Sequence, residues 1–218
     1  MDNSSKDTTN MGRLIEALKN GDKTQAIIEA KKLIESGVKS EVIVTECIEP
    51  AMVSLSNKCT VENFNLLEVM LAGRAVTSVM QELFPASAMP PPTKGTIILA
   101  TLEGDVHDLG KNILKTILTI NSYRVVDCGK NCPLEELINT AREEKAFLIG
   151  VSGLIISVIP LVQKIKESLA ECNLQHIKVI AGGAALKQSS KDLLNVDFVA
   201  ETAFDGEIYI NSVKNEAS

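Results

Sequence analysis

The sequence has no CxxC pair, no basic run and no long apolar stretch, and each gap removes a class of function. Cys47, Cys59, Cys128, Cys132 and Cys172 form an odd-numbered set, which supports neither a disulfide framework nor a zinc site. Buried free thiols are the expectation. Lysine and arginine total 22 against 28 aspartate and glutamate, a formal charge of −6, so a nucleic-acid backbone is a poor partner. No uninterrupted apolar run reaches bilayer-spanning length. Residues 1–10 lack the basic start and apolar centre of a secretory signal. These absences lead to the expectation of a soluble, cytoplasmic protein with no nucleic-acid and no membrane partner.

What is present falls into two segments of different periodicity. After a polar, flexible stretch over residues 1–11, apolar residues recur at three- and four-residue steps from residue 12 to residue 85. Leu14, Ala17 and Leu18 open one amphipathic helix, and Ala26, Ile27, Ala30, Leu33 and Ile34 a second. Asn20-Gly21-Asp22 separates them and Ser36-Gly37 ends the second. A third helix is expected over residues 40–56, with an irregularity at Pro50, and a fourth over residues 61–84. Four such helices with short connections predict a bundle, because none buries its apolar face alone. Pro90, Pro91 and Pro92 then mark residues 86–94 as a linker.

From residue 95 to residue 218 the pattern changes to short apolar runs alternating with helical segments. Strands are expected at residues 96–100, 124–126, 147–151, 178–181 and 197–199. Helices are expected at residues 109–121, 134–145, 159–172, 187–194 and 204–213. Continuous apolar strands separated by helices predict a flavodoxin-like, doubly wound α/β domain with a five-stranded parallel sheet. The ligand edge of such a sheet lies at the strands' C-terminal ends, where the order reverses.

Three connections fall at that edge. The first holds Asp105, Val106, His107, Asp108 and Gly110; the second Ser152 and Leu154; the third Gly182 and Gly183. The first is neither a phosphate loop, which needs a Gly-Lys-Ser/Thr ending, nor a dinucleotide fingerprint, whose glycine spacing differs. It offers one imidazole with carboxylates beside it. A carboxylate that accepts a proton from one ring nitrogen fixes the tautomer and makes the other nitrogen the better metal donor. One histidine suffices where a macrocycle supplies the remaining equatorial ligands. Asp105 as a helix cap, a Mg²⁺ ligand or a phosphoacceptor are the competing uses of the same loop. His176, which precedes a strand, is assigned no chemistry.

These elements resemble the corrinoid proteins of methyltransferase systems, related to the cobalamin-binding module of methionine synthase. Gly104 to Gly110 is similar to that family's Asp-x-His-x-x-Gly signature, and Ser152-x-Leu154 and Gly182-Gly183 match its later elements in order; the resemblance spans residues 12–215. It implies a cobalamin or related corrinoid in the base-off, His-on form, with His107 as the cobalt ligand and Asp105 orienting it. The ring would lie between the helical cap domain and the sheet edge. The cofactor's nucleotide tail would enter beside Gly110, Ser152, Leu154, Gly182 and Gly183, with Glu201 and Thr202 nearby. The family places hydroxyl residues four and six positions beyond its serine, where this chain has Ile156 and Val158; Ser157 stands between them. Where the family's cap presents Phe and Leu above the ring, this chain has Lys58-Cys59 and Phe64-Asn65.

The resemblance implies carriage of a methyl group from a substrate-specific methyltransferase to an acceptor methyltransferase serving tetrahydrofolate or a thiol, with a corrinoid reductive activase as third partner. Overall resemblance leans toward an O-demethylase system. The segment after Lys94 is too short for an eight-fold β/α barrel, so the chain reads as an obligatory subunit rather than a complete enzyme. Alternatives are a corrinoid-binding sensor or regulator, for which no output module is visible, and the small subunit of a cobalamin-dependent mutase.

Overall fold

The computed structural model describes residues 3–58, 66–85, 87 and 91–216. The chain divides into two compact units, Met1–Ala88 and Met89–Ser218. Among the described residues no helix is long and apolar enough to cross a membrane.

The first unit is helical. Helix α1 (Asn3–Lys19) and α2 (Lys23–Glu35) bury Leu14, Leu18, Ala26, Ala30 and Leu33. Both end in the same way. Gly21 and Gly37 adopt positive φ (67° and 90°), and the following N–H groups of Asp22 and Val38 return to the carbonyls of Ala17 and Leu33, a glycine-dependent helix stop. Asp22 then caps α2 by accepting from the Gln25 N–H at 2.9 Å. Helix α1 begins well before the expected start near residue 12. Residues 3–11 carry little apolar signal, but backbone bonding propagates along a nucleated helix, and Asn10 is already buried. A flexible stretch over residues 3–11 is thereby replaced by helix.

Helix α3 (Ser40–Ile43) runs through a wide turn at Val44–Ile48 into α4 (Glu49–Lys58). Proline at position 50 has no N–H for the Glu46 carbonyl and its ring crowds that carbonyl. The helix widens just ahead of it, with the Glu49 N–H reaching Val44, which is how an inserted π-turn relieves such a conflict. Helix α5 (Leu66–Leu83) buries Ala72, Ala75, Val76 and Val79. The expected start of this helix at residue 61, and the cap positions Cys59, Phe64 and Asn65, lie outside the described residues, as does Pro90 of the linker.

The second unit is a parallel sheet of order β2-β1-β3-β4-β5. Its strands are β1 (Thr96–Thr101), β2 (Arg124–Asp127), β3 (Leu148–Ser152), β4 (Lys178–Gly182) and β5 (Phe198–Ala200). Alternate residues of β1 serve opposite cores. Ile98 and Ala100 join Ile149, Val179, Leu137 and Val162 on one face, under α7 (Leu134–Glu143) and α8 (Ile159–Glu171). Ile97 and Leu99 join Leu118, Tyr123 and Ile210 on the other, under α6 (Leu109–Ile120) and α10 (Ala203–Glu216). Burial on both faces explains why the strands read as unbroken apolar runs.

The helix expected over residues 187–194 is two pieces, a single turn at Leu186–Gln188 and α9 (Lys191–Leu194). Ser190 restarts the helix by accepting from the Leu193 N–H at 3.2 Å, and Asn195, in the left-handed region at φ 54°, ends it. The strand order reverses between β1 and β3, so the connections after these two strands meet at one crevice.

Candidate cofactor-binding site

Strand β1 ends at Thr101, and the segment that follows turns outward at Gly104, whose φ of +90° suits glycine. It returns to start α6 at Leu109. Within this loop Asp105 is fully buried. Its Oδ1 accepts from the His107 N–H at 2.9 Å and faces His107 Nδ1 at 2.7 Å. Its Oδ2 accepts from the Leu154 N–H at 2.7 Å. Burial alone pushes this carboxyl up, but the N–H groups of Leu154 and His107, together with the imidazole, hold it below the usual carboxylate range. An ionised carboxylate only accepts, so the proton of the neutral ring sits on Nδ1 and Nε2 keeps its lone pair. The ring is 51% exposed. The loop thus offers an oriented imidazole nitrogen at the switch point of the sheet.

The connection after β3 closes the arrangement. Ser152 sits opposite Thr101 in the β1–β3 register, and their hydroxyls lie 2.8 Å apart. Thr101 also donates to the His107 carbonyl at 3.4 Å. Ser152 and Leu154 are therefore tied to the His107 loop, one through Thr101 and the other through Asp105. Thr101 escaped the sequence reading; its only signal is a hydroxyl that closes the apolar run over residues 97–100. Ser157 is exposed on the turn Ile156–Val158 and is not among the groups that hold Asp105. Asp105 does not cap a helix. Asp108 occupies the N-cap position of α6, and its side chain makes no capping bond.

The glycines separate by cause. Gly183 has φ +99°, and a Cβ there would lie 2.6 Å from the Gly153 carbonyl oxygen, so its glycine is demanded by backbone packing. A Cβ at Gly182 would make only ordinary contact with Ala200. Gly110 is different: it lies in the first turn of α6, is exposed, and a Cβ there would meet nothing within 4 Å. A helical glycine costs about 1 kcal/mol relative to alanine, and nothing inside the protein requires this one.

Thr202 and Asp205 form a reciprocal cap on α10: the Asp205 N–H donates to Thr202 Oγ1 at 3.1 Å and the Thr202 N–H to Asp205 Oδ2 at 2.9 Å. Thr202 thus has a structural task at the edge. Glu201 is exposed, 4.0 Å from Lys187 Nζ. Beyond the expected residues, Lys111 is buried and ion-paired with Asp127 at the end of β2, which also accepts from Lys115 at 3.1 Å. Burial raises the Asp127 carboxyl, and the Lys111 ammonium, the Gly129 N–H and Lys115 bring it below the usual range. Of the cysteines, Cys47 and Cys132 are buried and Cys128 and Cys172 half-buried, all as free thiols, while Cys59 lies outside the described residues.

Two observations test whether a corrinoid suits these residues. Among the described residues no three His, Cys, Asp or Glu side chains cluster to hold a bare ion, whereas the second nitrogen of the half-exposed His107 ring is the single donor that a macrocyclic metal needs. Val106, next to His107 in the chain, and Ile156, two residues beyond Leu154, are 56% and 74% exposed, and a Cβ at the exposed Gly110 would meet nothing within 4 Å. One oriented imidazole nitrogen, with exposed apolar side chains and an open glycine on the connections at the same sheet edge, fits the group.

Comparisons with known proteins agree. Residues 95–207 match the B12 binding domain family. The dimethylamine corrinoid protein of Methanosarcina barkeri is 33% identical over 190 residues, covering 82% of this chain and 89% of that protein. Trimethylamine corrinoid protein 1 of Methanosarcina acetivorans is 26% identical over 194 residues, covering 87% and 90%. The solved structure of the Methanosarcina barkeri monomethylamine corrinoid protein shares the fold with a TM-score of 0.79 at 24% identity, covering 91% of this chain and 96% of that one. The chain belongs to the B12 binding domain family, among the corrinoid proteins of methyltransferase systems.

Proposed function

We propose that this chain is a methyl-carrier subunit in which Nε2 of His107 would hold the cobalt of a base-off corrinoid. The observation that carries the reading is the His107–Asp105 pair: a buried carboxylate fixes Nδ1 at 2.7 Å and leaves the other nitrogen exposed at the sheet's switch point. When bound, the corrinoid supplies the cobalt that takes up and releases the methyl group. The chain's own residues bind and orient. Asp105 sets the tautomer and direction of the ring, and Val106 and Ile156 give the macrocycle apolar contact. Gly110, Ser152, Leu154, Gly182 and Gly183 would hold the cofactor's tail, with Asp108, Ser157, Glu201 and Thr202 at the margins. Ser152 has a hydroxyl for the tail even while paired with Thr101, since an –OH both donates and accepts.

The partners on this reading are a substrate-specific methyltransferase, an acceptor methyltransferase serving tetrahydrofolate or a thiol, and a corrinoid reductive activase. The named relatives are dimethylamine and trimethylamine corrinoid proteins, which favours a methylated amine as donor over the O-demethylase substrate that overall resemblance suggested. The test has two stages. Cofactor-free protein is mixed with hydroxocobalamin, desalted and read by its absorbance; stoichiometric retention is expected, with most of it lost in His107→Ala. The loaded protein is then offered methylamines and methoxylated aromatics with their respective methyltransferases. Failure of the wild type to retain cobalamin overturns the carrier reading, and transfer from a methoxylated aromatic alone overturns the choice of donor.

A further inference from the structure

The position of His107 depends on the loop that carries it, and packing does little to fix that loop. Glu103, Gly104, Val106 and His107 are all exposed, and only Asp105 is buried. A Cβ at Gly104 would meet nothing within 4 Å. Besides its bonds to Leu154 and Thr101, the loop is held by hydrogen bonds from the neighbouring connection between β2 and α7. The Glu103 N–H donates to the Cys132 carbonyl at 2.9 Å. The next two residues are both gripped by Asn131: its Oδ1 accepts from the Gly104 N–H at 2.9 Å, and its own N–H donates to the Asp105 carbonyl at 2.9 Å. Asn131 achieves this with φ +55°, the left-handed region that asparagine tolerates better than most residues. That conformation aims main chain and side chain at the same segment.

We propose that Asn131 is a positioning residue for the axial ligand, acting through Gly104 and Asp105 rather than by touching the cofactor. The inference rests on the carrier reading above and extends it to a residue 27 positions away from Gly104 in sequence. Its two bonds bracket Asp105 on either side of the α-carbon. Asp105 in turn holds both the main-chain N–H and the ring nitrogen of His107, so any rotation of the Asp105 backbone is passed to Nε2. Asn131 is itself exposed, and its truncation leaves no core cavity. Variants therefore keep the fold and isolate the positioning effect.

Three variants separate the contributions. Asn131→Gly keeps the backbone conformation and the main-chain donor but removes the acceptor for Gly104. Asn131→Asp keeps an acceptor and tolerates the same φ. Asn131→Ala loses the acceptor and strains the turn. The first readout uses cofactor-free protein: amide hydrogen exchange at Gly104, His107 and Leu154, followed by NMR. Loss of one ordinary hydrogen bond should speed exchange there roughly tenfold in Asn131→Gly, with Asn131→Asp near wild type and the amides of β3 and β4 unchanged. The second readout is the ratio of histidine-bound to benzimidazole-bound cobalt(II) in hydroxocobalamin-loaded, reduced protein, by electron paramagnetic resonance. It should fall about tenfold in Asn131→Gly and recover in Asn131→Asp. Equal exchange in wild type and Asn131→Gly overturns the inference, as does faster exchange throughout the sheet, which signals general destabilisation. A wild type that binds no cobalamin through His107 overturns the carrier reading instead, and the exchange comparison still decides whether Asn131 holds the loop.

Discussion

Replacing Asp105 by alanine removes the acceptor for three N–H groups: the main-chain N–H of His107, its ring Nδ1–H, and the N–H of Leu154. The ring is half exposed, so its N–H regains water. The two main-chain groups face a pocket in which Asp105 is fully buried, and each stranded donor costs about 1–3 kcal/mol. Removing a buried carboxylate also removes its own desolvation cost, which offsets part of the loss. A net destabilisation of about 3 kcal/mol is expected. Asp105→Asn, which retains one acceptor oxygen, should lose about half of that. The pH dependence fixes the cause. Because the folded carboxyl titrates below its ordinary value despite burial, its contribution is fully present above the unfolded value near pH ~4. It disappears as pH falls through the lower folded value. The gap between wild type and Asp105→Asn should therefore be constant from about pH 7 to about pH 5 and narrow below about pH 4. The assay is urea unfolding of the cofactor-free chain followed by tyrosine fluorescence. The chain has no tryptophan, and its two tyrosines, Tyr123 and Tyr209, both lie in the sheet unit, so the signal reports that unit alone. A gap that widens on acidification, or no gap at neutral pH, would refute the reasoning.

Other consequences follow from the same geometry. Gly110→Ala should leave the cofactor-free protein as stable or up to about 1 kcal/mol more stable while weakening cobalamin retention; Gly183→Ala should destabilise it by more than about 1 kcal/mol through strain and backbone clash, both read by urea unfolding and desalting. Lys111→Met should cost about 3 kcal/mol at neutral pH by leaving Asp127 short of its buried partner, a loss that shrinks below about pH 4 as that carboxylate protonates. Among the described thiols, Cys128 should alkylate first. The neighbouring Cys132 thiol favours its thiolate against the opposing effect of burial, whereas burial, reinforced by Glu46, pushes Cys47 up to about 12. Peptide mass spectrometry after brief iodoacetamide treatment checks the order.

Much of this architecture is legible in the sequence because its causes are local. The strands of the sheet are buried on both faces and so read as apolar runs, and Asn20-Gly21 and Ser36-Gly37 announce helix ends that the backbone then forms. Pro50 likewise forecasts a disturbance, which takes the form of a widened turn just before it. What stays hidden is carried by partners distant in sequence. Thr101 gains its meaning from Ser152, 51 residues on, and Asn131 from Gly104. The second oxygen of Asp105 is taken by a main-chain N–H at Leu154, and main-chain donors leave no mark in residue identity. The early part of α1 is hidden for another reason: its helix continues through polar residues that give no amphipathic signal. Glycine identity also misleads on its own, since Gly110 and Gly183 look alike in sequence but answer to an open surface and to a crowded backbone.

The central claim is that His107 binds cobalt through Nε2. The direct test is the electron paramagnetic resonance spectrum of cobalt(II) in protein loaded with cobalamin, prepared with nitrogen-15 histidine and compared with unlabelled protein and His107→Ala. Conversion of the axial nitrogen splitting from a triplet to a doublet on labelling, lost in the variant, is the predicted result. A triplet that survives labelling would show the cofactor's own benzimidazole still on the metal and would contradict the account.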